Sequence, residues 1–339
     1  MSTKDFDKFV QAGIDEGLAH GFAVACGSVK GIAFSRGYGL ADPVAGTPMT
    51  PSVMIDIASV TKVLATAPAV LLCSERGLLD LDAPFSDYLP DYTGGAKGRV
   101  SVRDLALHTS GYETATDSNG YYSAITGADA VRLMLACSPS HDPGTFYSYA
   151  CWNYNILALM VSQLVPEGFK PFVERGVFGR LGLSSTSLGV PKPGAHARTQ
   201  GTAAAGSISD PTAFIMYRDG MAAGNAGAFS TVEDLSAYCI RLLAGGAGFL
   251  SPESLMEMRR NYVPAPLGVK RSVGWVMDDG FVPEGFSADT VYHTGWSGQS
   301  VYIDFGRDFF AVVLSVRCGE HEAAKRHRMN IAAAMAKMF

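Results

Sequence analysis

The stretch Met54–Leu72 decides both the fold and the chemistry of this chain; it reads Met-Ile-Asp-Ile-Ala-Ser-Val-Thr-Lys-Val-Leu-Ala-Thr-Ala-Pro-Ala-Val-Leu-Leu. The pattern predicts a short apolar strand or loop followed by a buried helix. Ser59 and Lys62 are three residues apart, so they share one face of that helix. A serine hydroxyl becomes a nucleophile when a neighbour takes its proton, which a desolvated lysine amine can do. The spacing therefore indicates a catalytic pair.

Ser59 is predicted at the N-terminus of this helix. Free N–H groups and the helix dipole there favour a developing oxyanion and disfavour a protonated Lys62. Taken alone the spacing is weak, because about one such Ser and Lys pair is expected by chance in a chain of this composition. Support for the pair has to come from the rest of the sequence.

The composition of the 339 residues limits the class of protein. A hydrophobic content of 47% and the presence of 38 glycines indicate a well-buried, turn-rich globular chain of one large or two closely joined domains. The net charge of −5, with no basic stripe, argues against a nucleic-acid partner. No metal-ligand spacing is evident: His321-Glu322 is followed by Lys325 where a zinc protease needs a histidine.

Targeting signals and cysteines bear on location. The longest apolar runs, such as Val63–Cys73, are shorter than a bilayer span, so no membrane partner is expected. The first residues are charged and contain no secretory apolar region, which favours a cytoplasmic protein. The six cysteines are scattered without C-x-x-C spacing, as free thiols in a reducing compartment would be.

Hydrophobic periodicity predicts an α+β architecture. Strands are expected near both ends, at Phe22–Lys30, Gly31–Tyr38, Ser272–Met277, Gln299–Phe305 and Phe309–Val316. Helical patterns fill the middle, at Val102–His108, Ala128–Cys137, Asn153–Leu164 and Pro171–Leu181, and further helices are expected at residues 4–18 and 320–338. We therefore expect one sheet built from both chain ends and an inserted helical region.

With these elements in place, the chain resembles the serine β-lactamase and penicillin-binding-protein-like hydrolases. It is most similar to the class C β-lactamase-related branch, which includes esterases, D-aminopeptidases and acyltransferases. The resemblance rests on seven blocks in the order of the family: Gly37–Asp42, Ile57–Lys62, Leu79–Pro84, Val102–Gly111, Pro143–Tyr154, Gly227–Leu235 and His293–Gly298.

This resemblance implies a β-lactamase/transpeptidase-like fold. An antiparallel sheet flanked by helices would come from residues 1–80 and 226–339, and a mostly helical domain from residues 81–225. The active site would lie between the two domains. Neither a metal nor an organic cofactor would be needed.

The family's second catalytic element is Tyr-x-Asn. The register of the Pro143–Tyr154 block places its tyrosine at Tyr149, and Cys151 stands where the family has asparagine. A phenol near Ser59 and Lys62 can relay protons, first as base and then as acid. Tyr147 remains the alternative if the register slips by two residues.

The third element, Lys-Thr-Gly in the family, reads His293-Thr294-Gly295 here. The glycine lets a substrate approach the backbone, and the N–H of Trp296 would complete an oxyanion hole with the N–H of Ser59. A histidine is mostly neutral at pH 7, so the cation that binds a substrate carboxylate is lost. A purely structural His293, which orients Thr294 or Tyr149, stays open.

Several side chains are candidates for the substrate pocket, among them Cys151. Trp152, Trp296 and Phe146 could form its apolar wall, or they could be ordinary core aromatics. His108 is interpreted as a structural loop residue, and nothing is concluded from Asn225, which stands where relatives often carry histidine.

The resulting hypothesis is acyl transfer through an acyl-serine on a small ester or amide, with a carboxylesterase as first choice. The alternatives are a β-lactamase or D-amino-acid-specific peptidase or amidase, an acyltransferase to an alcohol or amine, and a non-enzymatic binding or sensor module. The intact Ser59 and Lys62 pair disfavours the last of these. The physiological substrate and the oligomeric state do not follow from the sequence.

Overall fold

The computed structural model describes residues 1–95, 99–113, 124–191, 196–197, 205–277 and 279–339. The α-helices are α1 (Thr3–Asp15), α2 (Ala67–Glu75), α3 (Val102–Leu107), α4 (Gly127–Ala136), α5 (Cys151–Leu164), α6 (Phe169–Val173), α7 (Pro211–Arg218), α8 (Val232–Leu243), α9 (Pro252–Glu257) and α10 (His321–Ala336). The strands are β1 (Ala19–Ser28), β2 (Gly31–Asp42), β3 (Thr47–Pro48), β4 (Ile55–Asp56), β5 (Ser187–Leu188), β6 (Ala228–Ser230), β7 (Thr290–Gly295), β8 (Gln299–Asp304) and β9 (Phe309–Arg317).

The main sheet joins the two ends of the chain, as the sequence predicts. Its six strands lie in the order β3-β2-β1-β9-β8-β7, and the pairs are antiparallel. Strand β9 pairs with β1, where Ala25 faces Val312, and with β8, where Val301 faces Val312. Strand β7 is therefore the edge strand of this sheet, and on its outer side Tyr292 is bridged to Val276.

Helices cover both faces of this sheet, which explains why β9 is apolar at almost every position. Phe310, Val312 and Leu314 belong to the same buried cluster as α2 and α8. Phe309 and the other alternating residues of β9 belong to a second cluster, with residues of α1 and α10, including Phe6. The alternation of side chains along a strand divides the core into these two layers.

The predicted helices of the middle region form, with small differences at their ends. Helix α3 starts with a capping box between Ser101 and Asp104, and it ends at His108, which has a left-handed φ of 61°. The helical pattern predicted at Pro171–Leu181 is observed as α6 followed by a π-helical turn at Glu174–Gly179. Local periodicity was sufficient here because each helix buries one face within its own neighbourhood.

The prediction of a strand at Ser272–Met277 is wrong. Val276 makes only isolated bridges, to Arg271 and to Tyr292 of β7, and the segment between is a turn closed by a hydrogen bond from Ser272 N–H to the Trp275 carbonyl. Gly274 has a φ of 91°, which interrupts any extended run. Its apolar residues imitate a strand pattern because they are buried under α2 and α8.

A small second sheet in the order β4-β6-β5 lies beside the main one. It pairs Ile55 of β4 with Ser230 of β6, and Ser187 of β5 with Phe229 of β6. This sheet therefore connects the segment before Ser59 with residues from both predicted domains. The domain boundaries at residues 80 and 225 stay predictions.

One helical stretch, Ala58–Glu75, is long and apolar enough to cross a membrane by length and composition, with a mean hydropathy of 1.2 over 18 residues. This window is longer than the run Val63–Cys73 considered above. In the fold, 83% of it is buried inside the protein. A central core helix of a globular protein passes the same test.

Candidate active site

Ser59 lies in a tight turn rather than at the start of a regular α-helix. Strand β4 leads into a 3₁₀ turn at Ala58–Val60, and a π-helical turn at Lys62–Thr66 precedes α2. Ala58 has a φ of 45°, a strained value for a residue with a side chain. The fully buried Asp56 stabilises this conformation, because its Oδ1 accepts the Ala58 N–H at 3.0 Å. Burial raises the pKa of Asp56 to about 6.

Lys62 is completely buried directly behind Ser59. Its ammonium nitrogen donates to Ser59 Oγ at 3.0 Å and to the Asn225 carbonyl at 2.9 Å, and it lies 3.8 Å from the Cys151 sulfur. Burial lowers the pKa of Lys62, but Cys151, Tyr149 and the carboxylate of Asp210 outweigh it and raise the pKa above the usual lysine value. The direction of the Lys62 pKa is therefore opposite to the one expected from a helix N-terminus alone, and the contribution of the terminus itself stays a prediction.

Tyr149 is the tyrosine next to this lysine. The Lys62 ammonium lies 5.0 Å from the centre of the Tyr149 ring. Tyr147, the alternative in the sequence, is turned elsewhere and accepts a hydrogen bond from Arg271 Nε at 2.7 Å. The geometry thus favours Tyr149 over Tyr147 as the partner of Ser59 and Lys62.

Helix α5 begins with Cys151 and Trp152, which were both considered for the pocket. Cys151 is partly exposed and contacts Lys62. Trp152 is only 1% exposed and belongs to a buried cluster with Met134, Ile208 and Phe229. The prediction that Trp152 binds substrate is therefore wrong, because one step along a helix turns the side chain by about 100°.

Strand β7 forms the opposite wall with His293, Thr294 and Gly295. A Cβ on Gly295 would lie 2.8 Å from the Ile57 carbonyl oxygen and 3.3 Å from the Ala58 Cβ. Only glycine therefore allows this strand to lie so close to the Ser59 turn. The backbone of Trp296, the next residue, follows directly at the mouth of the cleft, and its side chain is 59% exposed.

His293 is buried and held by its own strand. Its Nδ1 lies 3.0 Å from the Thr294 carbonyl, and its Nε2 has no hydrogen-bond partner in the described part of the chain. Burial, reinforced by the charges of Lys62 and Arg271, lowers the pKa of His293 well below its usual value. The imidazole is therefore neutral at pH 7, as the sequence suggests for this position.

His108 supports the Tyr149 ring from behind. The two ring centres are 4.5 Å apart, and His108 Nδ1 accepts the Ala150 N–H at 3.2 Å. Burial and nearby positive charges, those of Arg271 and Lys62, lower the pKa of His108 well below its usual value. This neutral, internally bonded ring agrees with a structural role.

The cleft in front of Ser59 has a volume of about 440 Å³. Five of the predicted residues, Ser59, Tyr149, His293, Thr294 and Trp296, line it together. Residues that sequence reasoning missed also line it: Arg271, Val276, Gly280, Phe281, Tyr292, His321 and Lys325. Tyr292 directly precedes His293 on β7, so its neighbour in the sequence was a signal for it. The others come from segments that share no spacing with the predicted residues, so the sequence carried no signal for them.

Arg271 is the most distinctive of the missed residues. It is only 6% exposed, and its guanidinium carbon lies 5.3 Å from the centres of both the Tyr147 and Tyr149 rings. Its Nη1 is buried and has no hydrogen-bond partner among the described residues. A buried guanidinium without a counter-ion is costly, so this group is suited to an anionic ligand.

No metal-binding site is evident among the described residues. Within the described ranges, no group of three or more His, Cys, Asp or Glu side chains is arranged to hold a metal ion.

Comparison with protein families gives one match across nearly the whole chain: the family model described as Beta-lactamase covers residues 6–336. Among curated proteins, a beta-lactamase of Providencia stuartii is 26% identical over 192 residues, 57% of this chain and 48% of that protein. The chain spans less than half the length of the curated relatives that it matches, 38% for the Staphylococcus aureus protein flp.

Solved structures agree on the fold. The octameric penicillin-binding protein homologue from Pyrococcus abyssi has a TM-score of 0.82 at 19% identity, over all of this chain and 77% of that chain. EstCE1, described as a hydrolase with promiscuous acyltransferase activity, has a TM-score of 0.82 at 20% identity, over 97% of each chain. At these identities the likeness shows a shared β-lactamase/transpeptidase-like fold.

Proposed function

This chain belongs to the beta-lactamase family, and we propose that it is a serine hydrolase of the carboxylesterase type that cleaves small esters through an acyl-serine. The observation that carries the proposal is the buried Lys62 ammonium, 3.0 Å from Ser59 Oγ at the base of an open cleft. Isolated buried lysines are unfavourable, and this one is held in contact with a hydroxyl that faces a ligand-sized space.

Acylation would use these groups in sequence. Lys62 and Tyr149 act as one coupled acid–base pair, and the reactive form of this pair lacks one proton. Ser59 Oγ attacks the ester carbonyl carbon, and the pair accepts the Ser59 proton. The carbonyl oxygen becomes an oxyanion and accepts hydrogen bonds from the backbone N–H groups of Ser59 and Trp296. The carbon–oxygen ester bond then breaks, and Tyr149 gives a proton to the departing alcohol.

In deacylation the proton transfers run in the opposite direction. A water molecule attacks the acyl carbon and delivers its proton to the same pair, and Ser59 leaves as the hydroxyl. No group other than the protein side chains and water is required for these steps.

Two substitutions support esters as the substrate. His293 is neutral where the family carries a lysine, so the cation that would attract a carboxylate on this strand is missing. Cys151 replaces an asparagine, and a thiol is a much weaker hydrogen-bond partner for an amide side chain than a carboxamide.

The test compares p-nitrophenyl acetate, p-nitrophenyl butyrate and nitrocefin, with wild type, Ser59→Ala and Ser52→Ala. Ser52 is an exposed serine seven residues earlier and serves as the matched control. We expect efficient ester hydrolysis, slow nitrocefin turnover, and loss of both in Ser59→Ala only. Activity that survives in Ser59→Ala would rule out the mechanism.

A second candidate is a β-lactamase or a D-amino-acid-specific peptidase or amidase. Arg271 favours it, because the buried guanidinium faces the same cleft as Thr294 and has an unpaired Nη1 among the described residues. Such a cation could bind a substrate carboxylate in place of the missing lysine. Nitrocefin turnover that exceeds ester turnover, and that falls in Arg271→Gln, would favour this candidate.

Acyl transfer is tested in the same assay by adding acceptor alcohols. Formation of the new ester, with p-nitrophenol release accelerated in proportion to acceptor, would show that an alcohol competes with water for the acyl-serine.

A further inference from the structure

Building on the proposed function, we propose that Ser315 and Arg317 of β9 are positioning residues that clamp the Trp296 amide in the oxyanion hole. The two donors of this hole, Ser59 and Trp296, are far apart in sequence and lie on separate elements. Such donors must meet the developing oxyanion within a few tenths of an ångström to stabilise it. Something must therefore fix the loop after the edge strand.

The direction of the Trp296 N–H is set by a turn. The Gly298 N–H donates to the Gly295 carbonyl at 3.1 Å. In a trans peptide the carbonyl of Gly295 and the N–H of Trp296 point in opposite directions. The hydrogen bond from Gly298 therefore turns the Trp296 N–H away from the loop. Gly295, the residue before it, lies against the Ser59 turn.

Ser315 holds the far end of that turn. Both its backbone N–H, at 2.9 Å, and its hydroxyl, at 2.7 Å, donate to the Gly298 carbonyl. Gly298 has a φ of 120°, and a Cβ there would lie 2.3 Å from Ser315 Oγ. Only glycine fits this contact, so Ser315 and Gly298 form a matched pair.

Arg317 holds the turn at Trp296 itself. Its Nε donates to the Trp296 carbonyl at 3.0 Å, and its Nη1 donates to the Gly319 carbonyl at 3.0 Å. The guanidinium carbon also lies 5.3 Å from the centre of the Trp296 ring, which stacks on His321 at 4.3 Å. A planar guanidinium bonded in two directions fixes the carbonyl more firmly than a single flexible donor does.

The two clamp residues share a rigid support. Ser315 and Arg317 are two positions apart on β9, so their side chains lie on the same face of the strand. Ser315 and Arg317 pair with Phe22 and Ala19 of β1, an interior strand, whereas β7 has a single strand neighbour in this sheet. The clamp therefore ties the loop after an edge strand to the interior of the sheet, which keeps the Trp296 amide in register with Ser59.

The experiment measures p-nitrophenyl butyrate hydrolysis by Arg317→Met, Arg317→Lys and Ser315→Ala. Removing an oxyanion donor typically costs about 100-fold to 1000-fold in kcat, so displacing one should cost about 10-fold to 50-fold in Arg317→Met. KM should change less than about twofold, since the ground-state ester does not need the donor. Arg317→Lys should recover part of the loss, and Ser315→Ala should lose about fivefold.

An oxyanion mimic separates positioning from general damage. A trifluoromethyl ketone forms a tetrahedral adduct with Ser59 and places an oxyanion in the hole, whereas the matching methyl ketone binds mainly without one. We expect the affinity for the fluorinated ketone to fall by the same factor as kcat, with methyl ketone binding unchanged. The double variant should lose less than the product of the single losses, because both residues act on one amide.

Arg180→Met is the matched control, since Arg180 is an exposed arginine that also donates to a backbone carbonyl, that of Gly248 at 3.2 Å. Thermal melting identifies any variant that fails to fold, in which case Arg317→Lys carries the test. Wild-type kcat in Arg317→Met, a kcat loss that ketone affinity does not follow, or an equal loss in Arg180→Met would overturn the clamp. A wild type without ester hydrolysis would instead refute the proposed function.

Discussion

At the scale of single residues, the acid–base character of the cleft depends on what surrounds Lys62. Three acceptors, the Ser59 hydroxyl, the Asn225 carbonyl and the Cys151 sulfur, meet the three N–H donors of one ammonium. Asp210 is linked to this arrangement because its Oδ2 accepts from Asn225 Nδ2 at 3.0 Å. A side chain that looks isolated in the sequence is thus part of a connected polar network.

The first prediction concerns this ammonium. Lys62→Met should lower ester kcat/KM by about 100-fold to 10,000-fold, because the acid–base pair loses one member. The folded state should lose little stability, since methionine has nearly the same volume and needs no buried hydrogen bonds. Fluorophosphonate labelling of Ser59 and thermal melting measure the two effects. Labelling at the wild-type rate would remove Lys62 from the mechanism.

The second prediction concerns Cys151. Its sulfur lies 3.8 Å from Lys62, at the long end for a weak sulfur acceptor, so Cys151→Ala should cost less than about tenfold in ester kcat/KM. Cys151→Asn introduces a strong acceptor and should lower kcat/KM further by drawing the ammonium away from Ser59. Steady-state kinetics of both variants decide the order. A larger loss in Cys151→Ala than in Cys151→Asn would contradict this account.

At the scale of elements, the Ser59 turn depends on a buried carboxylate. Asp56 accepts the N–H of Ala58 and, at 2.8 Å, the N–H of Ser209. Burial raises the pKa of this carboxyl from its ordinary value of 3.8 to about 6. A carboxyl with a raised folded-state pKa contributes stability that is fully present below about pH 4 and lost as the pH rises through about 6.

The third prediction follows from that sign. The unfolding free energy of wild type minus that of Asp56→Asn should decrease as the pH rises from about 4 to about 7, by on the order of 3 kcal/mol. Urea denaturation at a series of pH values measures this difference, and subtraction removes the titration of all other groups. A difference independent of pH would show that Asp56 does not titrate in this range.

The fourth prediction tests the contact between two elements, the Ser59 turn and strand β7. Gly295→Ala would place a Cβ 2.5 Å from Gln299 Oε1 and 2.8 Å from the Ile57 carbonyl, so the strand must move away from Ser59. We expect ester kcat to fall about 100-fold, as when one oxyanion donor is lost. Far-UV circular dichroism should stay unchanged. Gly176→Ala, in the π-helical turn at Glu174–Gly179, controls for a glycine substitution that meets no neighbouring atom and needs no left-handed φ.

At the scale of the whole molecule, the layer formed by α1 and α10 packs the two chain ends together. Helices α1 and α10 cover one face of the sheet, and the Phe6 ring is fully buried there, 5.5 Å from the centre of the Phe34 ring. The start of α10 reaches the cleft through His321 and Lys325, whereas Phe6 is buried and is not among the residues that line the cleft.

The fifth prediction separates stability from activity. Phe6→Ala should reduce the free energy of unfolding by about 3 to 4 kcal/mol, because it leaves a cavity under α1. Ester kcat/KM at 25 °C should stay within about twofold of wild type as long as the protein is folded. Urea denaturation and steady-state kinetics on the same preparation test both statements. A large fall in ester kcat/KM without unfolding would show that the packing around Phe6 also shapes the cleft.

The sequence by itself determined the features that depend on near neighbours. Local patterns in the sequence predict the pairing of Ser59 with Lys62, the helices of the middle region, and strands β8 and β9. Each of these depends on side chains that recur with the period of a single helix or strand. Turns were harder to predict from the sequence. The Ser272–Met277 segment has the apolar pattern of a strand because a buried turn and a paired strand can have similar apolar residues.

Only the tertiary structure decided which distant residues share the cleft and how charged its members are. Arg271, Ser315 and Arg317 reach the site from segments that share no motif with Ser59. The same reason explains why Trp152 is buried away from the cleft and why the pKa of Lys62 is raised. Burial and charge are set by all the segments that surround a side chain, and contacts between remote positions leave no periodicity in a single sequence.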